Sequence, residues 1–183
     1  ALTGLVVGVI NGIVSTYLKI NPLIATLAMS FIILGVTKLV SQFGKQGVGQ
    51  IRVDVDEFRW LATTKPLGIS LPTWIGFVII VILAVVLWRT TFGRYVYAAG
   101  GNADAARLAG IRVNLVRIAT FALSGFAAGI AGVIDLARTP SVPENDAIAT
   151  TLTFTVLAGI VVGGTSILGG EGAIWRTVLG ILF

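Results

Sequence analysis

The sequence predicts an all-α fold: a polytopic helical membrane protein with about five full spans, a truncated sixth, and a short helix in one connecting loop. Three observations carry this. Of the 183 residues 56% are hydrophobic and only 11% charged, whereas a soluble domain carries about 25% charged residues, and mean hydropathy is +0.97. Five stretches hold no charge at all: Ala1–Leu18, Ile20–Thr37, Pro66–Trp88, Ile118–Ile134 and Ala147–Gly170. A spanning helix needs roughly 20 mainly apolar residues, with a range of about 17–25, and every stretch falls there. None alternates with period two, as barrel strands do.

The first stretch, Ala1–Leu18, carries Gly4, Gly8 and Gly12 at four-residue spacing. Helices gain little hydrophobic energy by associating in lipid, so small residues that let backbones approach take over that role. Gly125 with Gly129, and Gly159 with Gly163, repeat the device. Ordinary packing accounts for each glycine singly; a tightly packed transport core accounts for the set. The second helix begins after Asn21-Pro22, with proline at a first-turn position where no N–H is lost. It runs to about Val40, and Lys38 can reach the interface. Ser41–Ser70 is a long polar loop in which Val53 and Val55 alternate as in a short strand.

The third stretch, Leu71–Trp88, sets Trp74 and Trp88 about 21 Å apart at the helical rise, a separation that suits two interfacial aromatics. A fourth helix extends from about Arg117 to Leu136, and a Pro-containing turn covers Thr139–Asn145. The fifth covers about Thr151–Leu168 and ends in the glycine cluster Gly163–Gly172. A sixth starts near Ala173. The chain opens inside one apolar run and closes soon after another begins, so it reads as an internal part of a longer protein.

Strict alternation puts seven basic residues on one side (Lys19, Arg89, Arg94, Arg107, Arg112, Arg117, Arg176) and six on the other (Lys38, Lys45, Arg52, Arg59, Lys65, Arg138). Orientation follows Lys and Arg counts, and seven against six does not set it. The acids divide two (Asp104, Glu171) against six, and the 93–117 loop is basic with a single Asp; both point to that loop as cytoplasmic. The net charge of +5 is the loop charge of a membrane protein, whose partner is lipid and not nucleic acid.

Composition also removes chemistry. Cys and His are both absent, and with them thiol and imidazole nucleophiles, bases and metal ligands. Gly164 and Gly169 resemble the first half of a phosphate loop, yet Gly170-Glu171 stand where Lys and Ser/Thr are required. A Gly-rich break between helices fits better, and at membrane depth such a break must be enclosed by protein or line a water-filled cavity. Gly163, Gly164, Thr165 and Ser166 are therefore candidate path residues. Asp135 and Arg138 read as an interfacial i,i+3 pair, and Asn11, Asn21, Thr26 and Ser30 as polar groups facing a lumen or a neighbouring helix. No catalytic, cofactor or metal constellation is present.

The segment Gly100–Ile111 stands apart. Asn102 is a good N-cap and Asp104 complements the positive end of the helix dipole. Arg107 lies toward the negative end, Gly110 is a ready C-terminal stop, and Leu108 with Ala105 gives a small apolar face. A helix this short needs a surface to hold it: its own domain, or a partner on which it docks.

The wider stretch Gly93-Arg94-Tyr95-Val96-Tyr97-Ala98-Ala99-Gly100-Gly101-Asn102 through Gly110-Ile111 resembles the cytoplasmic loop of permease subunits of ribose-type monosaccharide ABC importers. Ser124-Gly125-Phe126-Ala127-Ala128-Gly129-Ile130-Ala131-Gly132 is similar to that family too. So are Ala158-Gly159-Ile160-Val161-Val162-Gly163-Gly164-Thr165-Ser166, with Gly169-Gly170-Glu171-Gly172 behind it, and Asn21-Pro22-Leu23-Ile24-Ala25-Thr26-Leu27. The motifs occur in order over nearly the whole chain.

The resemblance implies a single permease domain over residues 1–183, lacking terminal helices, with residues 93–117 as a cytoplasmic coupling loop. A sugar-binding protein, periplasmic or extracellular, would deliver a monosaccharide to the inner membrane of a bacterium. The sugar would cross between two permease copies. ATP would be bound by a separate cytoplasmic subunit, and the permease would be no enzyme. Coupling would run through Gly101, Asn102, Ala105, Ala106, Arg107, Leu108 and Gly110, since a rigid small helix transmits a rocking motion. One departure stands out: many relatives have an acidic residue about ten positions before the Gly-Gly-Thr-Ser motif, where Thr151–Thr155 here are uncharged.

Two rival functions remain at this level. A secondary transporter would use broken helices and buried charges of its own, and the first, second, third and fifth helices hold no mid-span charge. A non-transporting scaffold subunit would explain the glycine packing but not a capped loop helix.

Overall fold

The computed structural model describes residues 1–43, 50–52, 64, 66–138, 141–143, 146–166 and 169–182. In chain order the elements are α1 (Leu2–Tyr17), α2 (Pro22–Phe43), β1 (Gln50–Arg52), α3 (Leu71–Arg89), α4 (Thr91–Gly101), α5 (Ala103–Leu108), α6 (Val113–Arg138), β2 (Ser141–Pro143), α7 (Asp146–Val162) and α8 (Ile174–Leu182). The helical membrane architecture is as the sequence predicts. Among the described residues α2, α3 and α6 are long and apolar enough to cross a bilayer, and α1 and most of α7 form shorter apolar helices.

The burial pattern is that of a protein whose solvent is lipid. Buried apolar side chains are small (Ala25, Ala99, Ala106, Val113, Val116, Ala137), whereas Phe31, Ile32 and Phe77 stay exposed. Packing by small residues is the expected pattern when lipid tails are as apolar as leucine.

Local chemistry explains the boundaries. Leu18 closes α1 with its N–H on the Val14 carbonyl, and Lys19 takes the left-handed conformation at φ 52°. Asn21 then caps α2, its Oδ1 accepting from the Leu23 N–H at 2.9 Å, with Pro22 at the first helical position. Thr26 and Ser30 donate to carbonyls of their own helix, Pro22 and Leu27.

Two expectations need correction. The fourth long helix starts at Val113, four residues earlier than predicted, because Val113 and Val116 are core residues that extend it inward. The fifth ends at Val162, not Leu168, because Gly164 turns left-handed at φ +70°. Beside the helices, β1 and β2 form one short antiparallel pair, Ile51 opposite Val142. Each strand lies in a segment read as loop or turn. The Val53/Val55 alternation lies outside the described residues.

The chain forms two compact units. The first comprises Ala1–Phe77 and Ile118–Asn145, the second Val78–Arg117 and Asp146–Phe183. In the first, α1 packs antiparallel on α6 through its glycines. A Cβ on Gly4 would lie 2.9 Å from the Cα of Gly129, one on Gly125 2.9 Å from that of Gly8, and one on Gly12 2.9 Å from that of Ile118. These approaches are closed to any larger residue. Along the same stripe Gly8, Asn11, Gly12, Ser15 and Thr16 are buried. Asn11 Oδ1 and Thr16 Oγ1 lack hydrogen-bond partners. Asp135 and Arg138 occupy the last turn of α6.

Candidate functional site: a capped loop helix beside a glycine turn

Helix α3 hands over to the loop through Thr90. Its hydroxyl donates to the Val86 carbonyl at 2.5 Å and accepts from the Gly93 N–H at 3.3 Å, capping α4. Gly93 has no room for a side chain: a Cβ would come 2.8 Å from the Leu87 Cα. Helix α4 was not expected as a separate element. The signals were present in Thr90 as N-cap and in a stretch free of proline, and the glycines at 93, 100 and 101 obscured them.

Asn102 ends α4 and starts α5. Its Oδ1 accepts from the N–H groups of Asp104 and Ala105 at 3.1 and 3.0 Å, satisfying two of the donors a helix start leaves open. Arg107 pairs with Asp104 at 3.0 Å across one turn; both are exposed, so the pair orients the side chains more than it stabilises the fold. At the other end the Ile111 N–H reaches the Ala106 carbonyl at 3.0 Å and the Gly110 N–H the Arg107 carbonyl at 2.9 Å. With Gly110 at φ +84° this is a Schellman stop.

The helix is held by Ala106, which is buried in a cluster with Ala99, Val113 and Val116, packed by Phe92, Val96, Ala103 and Ile111. The face made by Leu108 and Ala105 is the outward one. Ala105 points to solvent and Leu108 is 91% exposed, because the inward phase is fixed by α4 and the start of α6. Of the predicted coupling residues, Gly101, Asn102, Ala105, Arg107, Leu108 and Gly110 are exposed and Ala106 anchors them.

The glycine cluster lies against the same segment. A Cβ on Gly100 would come 3.1 Å from the Gly170 Cα, and one on Gly170 2.7 Å from the Gly101 Cα. Gly169 and Gly170 adopt φ +94° and +80°, conformations open to glycine. Tyr97 adds a hydrogen bond from its hydroxyl to the Gly172 carbonyl at 2.7 Å. The connections after α3 and after α7 are thus joined.

The four candidate path residues fall in this turn. Gly164 closes α7: its N–H bonds the Val161 carbonyl at 2.9 Å and the Thr165 N–H bonds Ile160 at 3.2 Å, a second Schellman stop. The hydroxyls of Thr165 and Thr177 share a hydrogen bond at 3.0 Å, and the Ser166 N–H donates to the Glu171 carbonyl at 3.0 Å. Gly163 admits α8, its Cβ position lying 2.9 Å from the Thr177 Cα, and borders a cavity of about 400 Å³ with Val162, Arg176 and Leu179. A second cavity of about 590 Å³ is lined by residues that include Val81, Val85, Trp88, Tyr97, Ile174 and Trp175. Among the described residues no His, Cys, Asp and Glu cluster could hold a metal.

Apolar helices joined by small residues, with a short capped helix in one loop, define a polytopic helical membrane protein. The chain belongs to the family described as "Branched-chain amino acid transport system / permease component", which matches residues 1–182. It is 35% identical to the ribose import permease protein RbsC of Escherichia coli over 179 residues, 98% of this chain and 55% of that protein. It is 38% identical to the L-arabinose transport system permease protein AraH of Escherichia coli, over 94% of this chain and 51% of that one. It is also 34% identical to the autoinducer 2 import system permease protein LsrC of the same species, over 100% and 51%. The chain thus spans about half the length of the curated relatives it matches. No solved structure matches. The likeness to ribose-type permeases read from the motifs is borne out, as is the reading of a permease component that is no enzyme and carries no cofactor itself.

Proposed function

We propose that this chain is part of the transmembrane subunit of an ATP-driven importer, moving a monosaccharide of the ribose, xylose or galactose kind across the inner membrane of a bacterium. In this reading α1 and α7 cross the bilayer along with α2, α3 and α6, α8 belongs to a sixth span, and residues 1–183 form one permease domain. Residues 93–117 face the cytoplasm and α5 docks on a separate ATP-binding subunit. A sugar-binding protein delivers substrate outside, and a second permease copy completes the pathway. The turn at Gly163, Gly164, Thr165 and Ser166 borders that path.

One observation carries the reading: α5 is stopped at both ends by satisfied caps and anchored by buried Ala106 with Ala103 packed beside it, while Leu108 is left 91% exposed. A leucine held out on a rigid, polar, six-residue helix contributes nothing to its own fold and is suited to a partner's cleft. The relatives named for ribose, arabinose and autoinducer 2 import support the substrate class.

The test uses the full-length protein reconstituted with its ATPase and binding protein. Arg107→Glu with Leu108→Asp is expected to leave insertion intact and to abolish both ATPase co-purification and sugar uptake. Persistence of both in the variant would refute docking through α5 and return weight to a secondary transporter or a scaffold subunit.

A further inference from the structure

We propose that the second unit binds an anionic phospholipid, with an acyl chain in the 590 Å³ cavity and the phosphate at the guanidiniums of Arg89 and Arg176. This goes beyond the transport reading and does not depend on it.

The dipeptide Trp-Arg occurs twice, at 88–89 and at 175–176. The fold brings both tryptophans to one cavity, although they are far apart in sequence. In each case the arginine stacks on its own tryptophan, the guanidinium carbon 5.1 Å from the Trp88 ring centre and 5.7 Å from that of Trp175. Such cation–π contacts hold each guanidinium against a ring that lines the cavity, and Arg176 borders the 400 Å³ cavity as well. The rings are 80% and 64% exposed, as suits aromatic residues at a bilayer interface.

The cavity has the dimensions of an acyl site. Val81, Val85 and Trp88 follow one another at i, i+4 and i+7 on α3, so it extends about 10 Å along the helix from the Arg89 end. One leaflet of a hydrocarbon core is about 15 Å deep, half of ~30 Å. The lining is aliphatic and aromatic, and its one hydroxyl, on Tyr97, is engaged by the Gly172 carbonyl.

Charge selects the headgroup. Among the described residues neither Arg89 nor Arg176 has a carboxylate partner; Glu171, the acid nearest in sequence to the α8 end of the cavity, is exposed and pairs with neither. A protein helix seated here would desolvate two uncompensated cations, at a cost that buried charges rarely meet. A phospholipid fills the apolar space and supplies phosphate oxygens matching the guanidinium fork.

The experiment measures lipids retained by the full-length protein, purified in mild detergent from membranes containing phosphatidylglycerol and phosphatidylethanolamine, by mass spectrometry. The wild type is expected to retain phosphatidylglycerol above its membrane proportion. Arg89→Gln with Arg176→Gln lowers that enrichment at least about fivefold, the factor for a single arginine at a lipid surface. Ala84→Phe, at another lining position, reduces both lipids by filling the cavity. Should this variant fail to insert, the exposed arginine pair decides alone. Absence of retained lipid in the wild type, or undiminished phosphatidylglycerol preference in the double variant, overturns the proposal.

Discussion

Gly100 and Gly170 meet backbone to backbone: a Cβ on the first would lie 3.1 Å from the Cα of the second. The contact ties the end of α4, from which α5 hangs, to the turn that separates α7 from α8. A pull on α5 therefore reaches the glycine turn through main chain rather than through flexible side chains.

The first prediction contrasts two neighbours. Gly170→Ala imposes a left-handed conformation on alanine and drives its methyl to 2.7 Å from Gly101 Cα, so a loss of about 1–3 kcal/mol is expected. At Gly101 an added methyl meets nothing within 4 Å, and Gly101→Ala leaves stability unchanged or slightly raised. Thermal unfolding in detergent measures both. Equal midpoints for the two variants would contradict the contact.

The α1–α6 seam gives the second. Gly125→Leu puts a branched side chain where Gly8 Cα already lies within 2.9 Å of the first added carbon, while Gly132 has open space. Gly125→Leu is expected to cost about 3 kcal/mol or more, the upper end for overpacking, and Gly132→Leu little. The readout is the yield of monodisperse protein together with its unfolding midpoint.

Helix α5 yields the third. Asn102→Ala removes an acceptor for two N–H groups and should cost about 1 kcal/mol; Gly110→Ala, at φ +84°, should cost a similar amount. Leu108→Ala should leave the unfolding midpoint in place, since the side chain is exposed. A marked fall in that midpoint would show that Leu108 packs on its own chain and is not held out for a partner.

These residues also mark what the sequence made legible. Caps are local, so Asn102, Gly110 and Asn21-Pro22 reveal helix ends without knowledge of the fold. The glycine spacing in α1 showed that a close partner exists but not that α6 supplies it, because any small-residue stripe satisfies the same pattern. The phase of α5 was hidden for a related reason: Ala105 and Ala106 are chemically identical, and only the positions of Ala99, Val113 and Val116 decide which one turns inward. Contacts between distant segments, such as Tyr97 with Gly172 or Trp88 and Trp175 at one cavity, have no local signal at all. The β1–β2 pair was equally invisible, its three-residue strands being too short to show alternation.

The last prediction concerns Asn11, buried on the face of α1 that carries its glycines, with Oδ1 lacking a partner. An unmet buried carbonyl carries its full desolvation penalty, about 1–3 kcal/mol, and an apolar residue of the same shape removes it. Asn11→Leu is therefore expected to raise the unfolding midpoint of the full-length protein, against the usual direction of core substitutions. Stability and sugar uptake should then be measured on the same preparation. A rise in stability with uptake lost would mean that Asn11 is kept as an acceptor for a passing hydroxyl, at the expense of the fold. A rise with uptake retained would make it a packing residue whose amide the seam merely tolerates. A fall in stability would show that the carbonyl is satisfied by a segment or molecule lying against α1 in the whole transporter, and the α1 face would then be an interface and not a finished surface.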